Sequence, residues 1–238
     1  MTPKGRATLV VALFAGIPAV VLGIVAFVLG GVVVGVAVLI VVAAGLAAWA
    51  RFSGDRRVLA AIGGREADAL TDGRLWNLVE GLSVGAGVRQ PRLRVVASSG
   101  LNAMSAGTSP GRAVVGVTSG LLAELDRIEL EAVLAEQLIQ VRRHETLPAT
   151  VLAATFGLGR ALALPDDRDL NADRAAVALT RYPPALASAL EKLDTKGAAV
   201  PGQPASMAHL WLADPSTTPT PGRGRLPLRD RIEALREL

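Results

Sequence analysis

The sequence predicts an α+β fold: an N-terminal two-helix transmembrane hairpin followed by a mainly helical domain with a small antiparallel sheet. Three observations predict it. Residues 7–50 carry no charged side chain; 91–118 breaks into short apolar runs divided by Ser, Gly and Pro; and the flanking chain repeats apolar residues at helical spacing.

A helix needs about 20 apolar residues to cross a bilayer, so the uncharged run holds two spans, about 7–28 and 32–50. It is too long for the apolar part of a secretory signal. Consecutive glycines permit a tight reversal, which places the turn at Gly30-Gly31, while Pro18 should kink the first span. Lys4 and Arg6 precede the run and Arg51, Arg56 and Arg57 follow it, whereas the turn is uncharged. The positive-inside bias then puts both ends in the cytoplasm, as a multi-pass protein of the cell membrane, with Trp49 at an interface. Gly31 and Gly35 form one small-x-x-x-small pair that would suit helix packing.

Composition narrows the partners. The sequence pI is about 10.3, yet basic and acidic residues nearly balance from position 51 onward, and aromatics make up only 3% of the chain. Nucleic acid is therefore excluded as a partner, and the basic residues beside the spans suit anionic lipid headgroups. With no cysteine, disulfides and thiolate metal sites are excluded too.

Beyond the spans, one organisation emerges: a hairpin over 1–52, a folded domain over 53–194, and a Pro/Gly-rich loop with a closing helix over 195–238. Apolar spacing predicts a helix over 55–82 and a turn over 84–90. Three short strands are expected at 93–96, 101–104 and 113–118. Asp126 with Glu129 three residues later forms a capping box that should open a long helix reaching about Arg143. Leu130, Leu134, Leu138 and Val141 make its apolar face, and Glu129, Glu136, Gln140 and Arg143 another. The segment 147–164 reads as a buried or interfacial helix, 166–181 as a helix stopped by Pro183-Pro184, and 185–193 as a short helix. His209-Leu210-Trp211-Leu212 forms an apolar island in a loop, and a last helix covers 228–238.

In order along the chain, five strings resemble the membrane zinc metallopeptidases of the HtpX and CAAX-prenyl type. They are Asn102-Ala103-Met104-Ser105-Ala106-Gly107, Val115 through Leu122, Glu129 through Ala135, Ala172-Asp173-Arg174-Ala175-Ala176, and Ala208-His209-Leu210 with Pro227 through Ile232. The resemblance implies a metallopeptidase-like domain whose edge strand, Asn102 to Ala106, lies beside a substrate groove. Strand addition there requires backbone groups and no metal. It also implies an H-E-x-x-H helix, where two His hold zinc and the Glu takes a proton from metal-bound water. Glu136-Gln137-Leu138-Ile139-Gln140 stands in that place, and Asp169 stands where the family has its third ligand, a Glu.

An amide does not titrate near neutral pH, so Gln137 cannot serve as general base. The chain has two histidines, His144 and His209, and a zinc site relocated onto them is disfavoured. Two readings of the polar residues on this helix stay open. Either Glu136, Gln140 and Asp169 converge with Asp173 behind them as an oxygen-only site for magnesium, calcium or manganese, or the helix simply presents a solvated face. The expected function is that of an inactive homologue binding no zinc: a scaffold, regulatory or peptide-binding subunit engaging membrane lipid and a membrane protein or peptide. Alternatives are an active metalloendopeptidase with a divergent metal site and an accessory subunit of a larger membrane complex.

Overall fold

The computed structural model describes residues 2–156, 164–165, 167–217 and 226–238, with backbone alone at 50–55. The expectations for 157–163, for Asp166, for the loop at 218–225 and for the Arg51 side chain lie outside the described residues.

The helical element α1, Pro3–Ile62, leaves helical geometry at Gly31, whose φ of 80° and ψ of 179° belong to no helix. In a straight helix rising about 1.5 Å per residue, Phe14 and Trp49 would be roughly 50 Å apart. Their rings stack with centroids 5.7 Å apart, so the chain folds back at Gly31. Closely packed limbs need small residues where they meet. A Cβ added at Gly35 would lie 2.7 Å from the Phe27 Cβ and 2.9 Å from the Gly23 carbonyl oxygen. Large apolar side chains remain exposed on both limbs, Val28, Leu29, Val33 and Val41 each above 65%, and by length and composition the element is able to cross a membrane.

The predicted helix over 55–82 is two helices with a strand between them. α1 ends at Gly63 and Gly64, both at positive φ; β1, Arg65–Glu66, follows, and then α2, Gly73–Ala86. At Gly64 the close approach is decisive, because an added Cβ would sit 2.4 Å from the Val95 carbonyl oxygen. α2 runs into the stretch expected to be turn and ends at Gly87 in the left-handed region.

The sheet corrects another expectation, since it is mixed rather than antiparallel. Its strands are β1, β2 (Arg92–Val96), β3 (Ala103–Ala106) and β4 (Val114–Thr118), in spatial order β1-β2-β4-β3. β3 and β4 pair antiparallel, with Ala103 opposite Val117. β2 instead runs parallel to β4, with Leu93 opposite Val115, because the chain after β2 crosses to the far side of β4 before turning back. All five β4 residues are buried, as befits a central strand covered on both faces.

After α3, Ser119–Glu124, comes α4, Arg127–Arg142. Its capping box forms as predicted: Asp126 Oδ1 accepts from the Ile128 and Glu129 N–H groups, and the Asp126 N–H donates to Glu129 Oε2 at 2.9 Å. α5, Thr146–Ala154, is a buried helix packed along α1. α6, Arg168–Thr180, ends ahead of Pro183-Pro184 as expected, and the pair itself opens α7, Pro183–Lys196, two residues before the expected start at 185. Proline suits a first helical turn, where its missing N–H has no partner to lose. A 3-10 turn covers Ala205–Leu210, and α8 is Leu228–Arg236.

α4 is the axis of the fold, packed against α2, α6, α7 and β3. Leu130, Val133, Leu134 and Leu138 join Leu75, Val79, Leu190, Leu193, Ile232 and Leu235 in one core cluster. Surrounded in this way, α4 has no solvated face left along its middle turns. Residues 132–141 are all buried.

Candidate functional site

Five polar side chains from the motif region meet in that interior. α4 contributes Glu136, Gln137 and Gln140, each with no exposed surface; α6 contributes Asp169 and Asp173, 4% and 1% exposed. The spacing explains the convergence, since positions 136 and 140, and 169 and 173, are one helical turn apart and share a face. The solvated-face reading is thus overturned for Glu136 and Gln140. Glu129 is buried as well, accepting from Ser188 Oγ and Lys192 Nζ at 2.7 Å each, and of the four residues only Arg143 is exposed.

Buried carboxylates require compensation, and here guanidinium groups supply it. Glu136 accepts from the Gln137 amide through Oε2 and from the Gln140 amide through Oε1, the latter at 2.6 Å. Gln140 Oε1 in turn accepts from Arg168 Nη2. Arg168 donates also to the His209 carbonyl at 3.2 Å, and its Nε lies 3.6 Å from Glu145 Oε2. On the other side, Arg231 of α8 grips Asp173 with two parallel bonds, Nε to Oδ2 at 2.8 Å and Nη2 to Oδ1 at 2.6 Å. The same Nη2 stands 3.8 Å from Glu136 Oε1, and Nη1 donates to the Leu212 carbonyl at 2.9 Å. Asp169 Oδ2 accepts from the Leu226 N–H at 2.9 Å.

Burial opposes the charged form of Arg231, yet the adjacent Asp173, with Asp169 and Glu136, overrides that and holds its pKa above the ordinary value. Glu145 is pushed up by burial, with the charges of Arg168 and Arg143 opposing. Gln137 leaves its carbonyl oxygen buried without a hydrogen-bond partner among the described residues.

This donor set does not fit zinc. Imidazole, the usual ligand, is missing from it: His209 Nε2 donates to the Ala149 carbonyl at 2.8 Å, and His144 lies just past α4 with φ 58°. Oxygen ligands alone would suit a harder cation, but such an ion would lie beside the guanidiniums of Arg168 and Arg231 and be repelled by both. Among the described residues, no three His, Cys, Asp or Glu side chains are grouped to hold a metal ion. What the cluster does chemically is fix α4, α6, α8 and the 205–210 turn to one another through charge-assisted bonds.

Sequence reasoning missed Arg168, Arg231 and Glu145 as members. The available signal was indirect: a carboxylate inside an otherwise apolar stretch demands a cation, and the resembling strings already contained Arg231.

The strand Ala103–Ala106 does lie at the edge of the sheet, but its outer side is engaged by the chain itself. Met104 bridges Trp211, and the Leu212 N–H donates to the Ala103 carbonyl at 2.7 Å. Asn102 fastens the same segment, its amide donating to the Ala213 carbonyl at 3.0 Å and accepting from the Ala213 N–H at 3.2 Å. A peptide adding to this edge has first to displace residues 211–213, in which Trp211 is fully buried.

No family model matches the sequence. Curated relatives are nevertheless similar over most of its length. A protease HtpX homolog of Tropheryma whipplei (strain Twist) is 30% identical, with 84% of each chain covered. A protease HtpX homolog of Dictyoglomus thermophilum is 32% identical over 68% of each chain. One of Acidiphilium cryptum is 31% identical, covering 77% of this chain and 80% of its own.

Proposed function

The chain belongs to the HtpX-type protease family, and on that premise we propose that it is a non-hydrolytic member, a scaffold or regulatory subunit anchored at the cytoplasmic face of the cell membrane. One observation carries this reading. Where the family's motif has its catalytic Glu between two zinc-binding His, Gln137 lies between Glu136 and Gln140, and the Glu136 and Gln140 polar groups are bound to one another and to Arg168. A neutral amide neither takes a proton from water nor competes with imidazole for zinc.

The anchor is the folded-back α1, whose limbs cross the bilayer as a hairpin within about 7–28 and 32–50. Support comes from the exposed apolar side chains on both limbs, the break at Gly31 and the basic residues at both ends, Lys4 and Arg6 on one side and Arg56 and Arg57 on the other. Packing through the small residues favours no partner helix, since Gly35 already faces Phe27 and Gly23 of the same chain. A bound peptide would enter at β3 only upon release of 211–213.

Metal analysis of the purified full-length protein, together with incubation with an unfolded polypeptide, tests the reading. Zinc well below stoichiometric and no cleavage are expected. The triple variant Glu136→His, Gln137→Glu, Gln140→His is the comparison: stoichiometric zinc in the parent, equal to that in the variant, with cleavage, establishes instead an active enzyme with a divergent site.

A further inference from the structure

Phe156 follows α5 in a conformation that a bulky side chain rarely adopts, φ 56°, and the residue is 67% exposed. Every side chain of the two turns before it is buried, from Pro148 to Thr155. A large apolar ring left exposed at the end of a buried helix marks a contact surface.

The neighbourhood identifies the partner. α5 advances along the first limb of α1: Glu145 feels the charge of Arg6, and Val151 and Leu152 pack with Ala7 and Val10. It ends at the level where Phe14 stacks on Trp49. The Arg57 guanidinium lies over the Trp49 ring at 3.9 Å and is 6.0 Å from the Phe156 ring. Just beyond this level α1 exposes apolar side chains, with Ile17 at 63% and Val20 at 48%. The Trp49 ring and the Arg57 cation at the margin of an apolar belt, with the exposed Phe156 beside them, match the headgroup boundary of a bilayer, where tryptophan and snorkelling basic side chains collect.

We infer that Phe156, together with Trp49 and Arg57, makes a third contact with the bilayer, at interface depth, holding the folded part of the chain against the membrane on its α5 side. The partner is the lipid boundary itself, reached from the same belt that anchors the hairpin, so the inference rests on the anchoring reading. It adds a lipid contact on the α5 side to the packing of α5 along α1.

The absence of cysteine permits a clean test in the full chain. Single variants Phe156→Cys, Ile24→Cys and Val84→Cys are labelled with an environment-sensitive fluorophore. They are reconstituted in vesicles of phosphatidylcholine and phosphatidylglycerol carrying a spin label either near the headgroup or near the acyl terminus. Ile24 is 58% exposed on the first limb, and Val84 is 79% exposed on α2. The label at 156 should be quenched more strongly by the shallow spin label than by the deep one, as befits a group at interface depth, and that at 24 should be quenched by the deep one, with no loss at 84. Quenching at 24 without quenching at 156 overturns the inference and leaves the hairpin anchor standing. No quenching at 24 removes the anchor, and this contact falls with it.

Discussion

Arg231 has no exposed surface and bonds both Asp173 and the Leu212 carbonyl. Truncating one member of a buried ion pair leaves the other charge uncompensated, at a cost of about 3–5 kcal/mol. Arg231→Met should therefore lose about that much stability in denaturant unfolding, and Arg231→Met with Asp173→Leu should recover most of it. If the double variant unfolds as easily as the single, the loss stems from packing and not from the stranded carboxylate. The trio Glu136, Gln137 and Gln140 was legible in the sequence, because its spacing on one helix is local. Its burial was not, since that depends on Arg168, 28 residues beyond Gln140, and on Arg231 still farther on. No window of sequence contains both sides of such a pair.

Among the elements, α4 was the most legible, because a capping box is written within four residues. Asp126→Ala should cost about 1 kcal/mol, measured as a shift in the unfolding midpoint without change in its steepness. A larger loss would mean that Asp126 also anchors something outside its helix. The sheet was legible only where neighbours in sequence are neighbours in space. β3 and β4 pair antiparallel as expected, though β3 lies at Ala103–Ala106, two residues beyond the expected 101–104, whereas the parallel pairing of β2 with β4 depends on a crossover. Two-residue β1 has too few positions to show any alternation. Pro183-Pro184 was ambiguous for a physical reason: the ring that ends one helix is equally fit to begin the next.

At the scale of the molecule, anchor and folded part are continuous. α1 passes through residue 52 without interruption, Val58 and Ile62 sit in a core cluster with Met104 and Trp211, and Ala7 and Val10 cover Val151 and Leu152. Deleting 1–49 should consequently give a product that aggregates or retains detergent in size-exclusion chromatography, since α5 loses its cover. A detergent-free monomer with cooperative unfolding would show that the first limb is dispensable. The Asn102 amide has a further consequence, for the order of folding. It joins residues 96 and 111 positions apart, at the Ala198 and Ala213 carbonyls, and contacts of such long range close late because loop entropy is lost before they form. Until residues 211–213 dock, β3 is an open template on which a second nascent chain can pair. Docking of residues 211–213 thus removes the template on the outer side of β3.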